Sequence, residues 1–173
     1  MKLNYGELLK ELSREELIAQ VNFLADSWWN LQGNWMQNVS ERFGSETAAE
    51  LDGIVFGRAG EVQAKRLKKM YNLGNDTEAL AKAINLSTVL SNVEFEYTQI
   101  DKKQCRLRIT KCNMQLARLA SGLPELPCKV PGTSALARFA SAINPKIRTT
   151  CIVCPPDNHP EDIWCEWQFD LVD

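Results

Sequence analysis

The spacing of apolar residues changes after Ser91-Asn92 from a helical period to a strand period, and this switch constrains the fold more than any other feature of the chain. Upstream, Ser13-Arg14-Glu15-Glu16 is a capping box, in which a serine hydroxyl and a glutamate each satisfy a free backbone N–H of a helix start. From it Leu17, Val21, Leu24, Trp28, Leu31, Trp35 and Val39 recur at steps of four and three, predicting a long helix with a core- or subunit-facing stripe that ends at Phe43-Gly44. Packing accounts for the tryptophans on that seam, although such a pair can also line an aromatic ligand pocket. A second helix is expected from Ser45 to Leu73-Gly74, through Ala48, Leu51, Val55, Ala59 and Val62. Gly53, Gly57 and Gly60 inside it each cost about 1 kcal/mol against alanine, so their spacing predicts close approach of another helix, or room for a ligand. A shorter helix follows from Thr77 to Leu86.

Downstream, Val93-Glu-Phe95-Glu-Tyr97 and Cys105-Arg-Leu107-Arg-Ile109 alternate about a turn at Asp101-Lys-Lys-Gln, which predicts an antiparallel hairpin. A helix from Asn113 to Ala120 stops at Ser121-Gly122, and another is expected from a Thr133 cap to Asn144-Pro145. Residues 146–154 and 163–171 predict a second hairpin around Pro155-Pro156, with Cys151 and Cys165 facing inward. The expected architecture is α+β, with N-terminal long helices packed on a four-stranded antiparallel sheet made of two hairpins with helices between them. A single domain spans 1–173, helical over 1–92 and α+β over 93–173.

A chain of 173 residues with 45% hydrophobic and 24% charged residues is long enough to fold alone, and a net charge of −2 provides no field to gather phosphates. No nucleic-acid partner is therefore expected. The charged N-terminal stretch contains no secretory h-region, and no run approaches the length of a spanning helix, so a cytoplasmic protein without a membrane partner is expected. In that compartment six cysteines are read as free thiols. The tryptophan-bearing long helix could also serve as a homodimer seam.

Five of those cysteines fall in the C-terminal third, beside the chain's only histidine. Cys112, Cys128, Cys151, Cys154, Cys165 and His159 are the candidate metal ligands; Cys151-x-x-Cys154 has chelate spacing, and the donor types suit zinc or iron. Alternatively Cys112, placed before the helix at Asn113 and beside Lys111 with Arg118 two turns on, has electrostatic reason to be a thiolate nucleophile. His159 or Asp157 would then carry the proton. A third reading makes the strand cysteines small buried hydrophobes, which is the one adopted for Cys105. Glu50-Asp52 and Glu161-Asp162 are read as solvated acidic neighbours, and no HExxH, GxSxG or phosphate loop is present.

The residues Lys111-Cys112-Asn-Met-Gln115-Leu-Ala-Arg118, Gly122, Cys128, Phe139-Ala140, Cys151, Cys154-Pro155-Pro156-Asp157 and Cys165-x-Trp167-x-Phe169 resemble an uncharacterised family of prokaryotic cytosolic proteins. More distantly, Phe43-Gly44, Ala48 and the helix to Leu73-Gly74 are similar to the L-2-amino-thiazoline-4-carboxylic acid hydrolase family, none of whose catalytic residues maps onto a position here. The resemblance implies a helical N-terminal part followed by an antiparallel sheet with helices, like the ligand-binding fold of the vinyl-reductase type and of vesicle-tethering subunits. The expected function is binding of a small molecule or a metal at the helix–sheet junction, with hydrolysis of a sulfur- or nitrogen-containing ring by Cys112 as the alternative.

Overall fold

The computed structural model describes residues 5–173. The charged stretch read as lacking a secretory signal begins in residues 1–4, outside the described residues. A short helix α1 (Tyr5–Lys10), which the apolar spacing did not indicate, leads to the capping box. There the Ser13 hydroxyl accepts the Glu16 N–H at 3.2 Å and the Glu16 carboxylate accepts the Ser13 N–H at 2.8 Å. Helix α2 (Arg14–Phe43) runs from that cap to Gly44, whose φ of 86° only glycine adopts without strain. The chain re-enters helix at once as α3 (Ser45–Met70). This helix ends before the expected Leu73-Gly74 because Asn72, at φ 48°, takes the left-handed position that glycine was expected to fill. Asp76 caps α4 (Thr77–Asn85), its carboxylate accepting the Ala79 N–H at 2.8 Å.

Strands β1 (Val93–Ile100), β2 (Gln104–Cys112), β3 (Ile147–Val153) and β4 (Cys165–Leu171) form one antiparallel sheet in the order β1-β2-β4-β3. The two predicted hairpins are therefore joined through β2 and β4, which bring Cys105 opposite Phe169 and Leu107 opposite Trp167. Asp101 closes the first turn by accepting the N–H groups of Lys103 and Gln104. Between the hairpins lie α5 (Asn113–Ala120) and α6 (Lys129–Ile143).

Helix α6 is capped at Cys128, five residues before the expected Thr133 cap. Pro131 and Gly132 read as helix breakers, yet both sit in its first turn, where proline lacks only an N–H that has no intrahelical acceptor. Gly132 is required for a different reason: a Cβ there would lie 2.9 Å from the Trp167 ring. Strands β3 and β4 are shorter than expected, leaving Cys154, Ile163 and Trp164 outside them.

The main core lies between α4, α6 and the inner face of the sheet, with Leu80, Ile84, Leu107, Phe139, Ile143 and Phe169 fully buried. Each contributes about 1.5–3 kcal/mol by leaving water. Helix α3 packs on α6 through the predicted glycine face: Cβ atoms at Gly57 and Gly60 would come within 2.6 Å of Ser134 Oγ and 3.1 Å of the Ala135 carbonyl oxygen. Across this contact Ser134 Oγ donates to the Gly53 carbonyl at 2.7 Å.

The α2 stripe differs from expectation. Leu17, Val21, Leu24, Leu31 and Trp35 are exposed, and α2 instead buries Gln32 and Met36. On α3, Leu51, Val55 and Val62 are likewise exposed. On α3 the large apolar residues are offset from the face that packs, because its glycines and alanines let neighbouring helices approach, and α2 sets Met36 against Ala48 and Ala49 and Gln32 against Asp52. Among the described residues no helix is long and apolar enough to cross a membrane.

Candidate functional site

Where α2 passes over the junction of α3, α6 and the sheet, the side chains leave an apolar cavity of about 150 Å³. Helix α2 contributes Trp28, Trp29 and Gln32, α3 contributes Asp52 and Phe56, and the sheet and α6 close the far side with Leu107, Trp167 and Leu136. The aromatic rings are mutually placed: Phe56 meets Trp28 edge-on at 6.4 Å and Trp29 at 5.9 Å between centroids. Trp29 Nε1 donates to Ser91 Oγ at 2.9 Å and to the Thr88 carbonyl at 3.2 Å, whereas the buried Trp28 Nε1 has no acceptor among the described residues.

Asp52 was read as a solvated carboxylate beside Glu50, and the structure corrects this, for it is 4% exposed. Its oxygens share a single donor group, Gln32 Nε2, at 3.2 and 3.4 Å. Burial pushes its pKa up to about 6, with the Gln32 hydrogen bond pulling the other way. A charged residue on the glycine-bearing face of α3, flanked by Ala48, Ala49 and Gly53, was the sequence signal for a buried carboxylate. Gln32 and Phe56 carried no comparable signal and were missed.

Cys112, Cys128, Cys154 and Cys165 line the same cavity. Cys112 ends β2, Cys128 caps α6, Cys154 follows β3 and Cys165 opens β4. Chain topology thus gathers residues far apart in sequence. The Cys165 thiol and then burial push Cys154 up, and a hydrogen bond with Cys154 lowers Cys165, so the two thiols titrate as a linked pair. Cys151 is raised chiefly by burial and also interacts with Cys154 and Lys129. Burial holds Cys128 well above the thiol range; Gln115 Nε2 donates to its Sγ at 3.3 Å. All six cysteines are free thiols. Cys105 is a buried hydrophobe, as expected, with its pKa driven to about 12 mainly by burial.

The surroundings of Cys112 differ from those the sequence suggested. The first N–H groups of α5, at Met114 and Gln115, do favour its thiolate, but burial outweighs them and raises its pKa. The cations counted on are engaged elsewhere: Lys111 Nζ is 2.6 Å from Glu94, and Arg118 Nε donates to the Pro124 carbonyl at 3.1 Å. Asp157 pairs with Lys129 at 2.7 Å. His159 packs on Trp164 at 5.2 Å, with Nε2 3.5 Å from Glu125 and Nδ1 2.9 Å from the Pro160 carbonyl oxygen. Neither Asp157 nor His159 lines the cavity that contains Cys112. Among the described residues, no three His, Cys, Asp or Glu side chains converge in a geometry that holds a metal ion.

The fold resembles two solved structures. The phenol-responsive sensory domain of the transcription activator PoxR, solved with phenol, aligns with a TM-score of 0.59 at 18% identity, covering 80% of this chain and 72% of that one. A trafficking protein particle complex subunit 3 from Naegleria fowleri, covalently bound to palmitic acid, aligns with a TM-score of 0.51 at 10% identity over 90% of this chain and 96% of that one. At these identities the likeness is one of fold. No curated protein sequence matches the chain. Neither structural match is a thiazoline carboxylic acid hydrolase, and that distant resemblance gains no support. The model of the Family of unknown function (DUF6125) matches residues 10–171, and the chain belongs to that family.

Proposed function

We propose that this protein binds a small, mostly apolar molecule in the cavity between α2, α3, α6 and the sheet. One observation carries the reading: an apolar cavity of about 150 Å³ holds two buried polar groups that the protein itself leaves short of partners, the Asp52 carboxylate and Trp28 Nε1. Buried polar atoms without full hydrogen bonding are costly, and cavities that bind ligands typically combine apolar walls with a few such groups. The volume suits one six-membered ring, since an engineered cavity of that size in another protein takes benzene. The phenol-bound state of PoxR, a protein of similar fold, supports the same use of the fold. Titration with single-ring aromatics, followed by tryptophan fluorescence and thermal shift, tests the proposal. Saturable quenching with a rise in Tm is expected. No response to any such compound at millimolar concentration refutes it.

A second reading rests on the mutual influence of Cys151, Cys154 and Cys165, with Cys128 adjacent. These four thiols are a donor set suited to structural zinc or to iron, and their rotation toward a common point would be needed for binding. A metal held by four thiolates would be structural and would tie α6 to β3 and β4. Elemental analysis of protein purified without chelator and under exclusion of oxygen is the test. About one equivalent supports the reading, and less than ~0.1 equivalent sinks it.

A further inference from the structure

We infer that the cavity selects a cationic ligand, a single-ring molecule bearing a protonated amine that pairs with Asp52. The inference rests on the reading of the cavity as a ligand site and adds the chemical class. Among the described residues that line the cavity, Asp52 is the only carboxylate and there is no Lys, Arg or His. A carboxylate has about four lone-pair positions, and here its sole side-chain donor is the Gln32 amide, at 3.2 and 3.4 Å. The surrounding thiols add no positive charge. Once ionised, Asp52 is therefore a buried negative charge for which the described lining residues offer no counter-ion, in a setting where a buried charge is stable only if paired.

The walls suit the same partner. Phe56 stands between Trp28 and Trp29, with centroids 6.4 and 5.9 Å away, and Trp167 closes the opposite side. Faces of tryptophan and phenylalanine attract an ammonium through the ring quadrupole, more strongly when water is excluded. A neutral hydroxyl is the competing ligand group, because it can donate to Asp52 and accept from Trp28 Nε1. Magnitude decides between them: leaving a buried carboxylate without a counter-charge costs more than leaving one indole N–H unbonded. The hydroxyl repairs the smaller defect and the ammonium the larger one.

The test uses calorimetric titration of the full chain at pH 7.5 with three probes of nearly equal shape: benzylamine, benzyl alcohol and toluene. Benzylamine is expected to bind roughly tenfold or more tightly than benzyl alcohol, as expected of a hydrogen bond to a charged group. Asp52→Asn is expected to lose that preference while still binding benzyl alcohol, which also shows that the variant cavity is intact. Benzyl alcohol or toluene binding wild type as tightly as benzylamine overturns the amine inference and leaves the ligand-site reading standing. If none of the three binds, both fall. The wild-type comparison decides the matter without reliance on the variant.

Discussion

Replacing Asp52 by asparagine should stabilise the unliganded protein at neutral pH, an unusual direction for a substitution at a residue only 4% exposed. The carboxyl has its pKa raised from 3.8 to about 6 in the fold, mainly by burial. At ~1.4 kcal/mol per unit, a shift of roughly two units makes the ionised form about 3 kcal/mol costlier in the folded than in the unfolded chain. The sign follows from proton binding: between about pH 4 and pH 6 the folded state holds a proton that the unfolded state has released. The stability associated with neutral Asp52 is thus fully present below about pH 4 and is lost as pH rises through about 6. Asparagine does not titrate, is of equal size, and its carbonyl can keep the Gln32 hydrogen bond. The expected gain is close to zero at pH 4 and about 2–3 kcal/mol at pH 7.5, where it corresponds to roughly 4–12 °C in Tm for a chain of this length. Urea unfolding of both proteins at the two pH values measures it, and other titrating groups cancel in the difference. A variant that is neutral or less stable at pH 7.5, or that gains equally at both pH values, refutes the argument. Such a stability deficit held in a cavity is what a ligand would relieve.

The glycine contact between α3 and α6 gives opposite expectations for two similar changes. Gly60→Ala places a methyl 3.1 Å from the Ala135 carbonyl oxygen, backbone that cannot turn aside, so a net loss of about 1–2 kcal/mol in chemical unfolding is expected despite better helix propensity. Gly33→Ala, on α2 with nothing within 4 Å, should gain about 0.5–1 kcal/mol, and a loss there would contradict the packing described. Phe139→Ala in the main core should cost about 3–5 kcal/mol by the same measurement. Cys112 should alkylate at pH 7 more slowly than a free thiol, because burial raises its pKa; faster reaction than a model thiol would restore the nucleophile reading.

The helices and strands were legible because their determinants are local. The capping box at Ser13, the glycine stop at Gly44, and the alternation in 93–100 and 105–109 each act through neighbours a few residues away. Misplaced boundaries arose where a distant partner overrode the local signal. Pro131 and Gly132 look like breakers, yet Cys128 caps the helix ahead of them and the Trp167 ring requires the glycine. The large apolar residues at 17, 21, 24 and 31 lie outside the packed face because α2 meets α3 through Gln32 and Met36 instead.

By itself the sequence determined the fold class, the order of elements from α2 onward, the glycine face of α3 and the inward orientation of Cys151 and Cys165, since periodicity and capping encode these within one element. Only the tertiary structure decided which side chains share a space. Pairing of β2 with β4 gathers Cys112 and Cys165, the early start of α6 adds Cys128, and the crossing of α2 over α3 buries Asp52 against Gln32. Burial then opposes two chemical expectations, raising the pKa of the Asp52 carboxyl and that of the Cys112 thiol. Desolvation depends on atoms contributed by every neighbouring element, and no local window of sequence contains them.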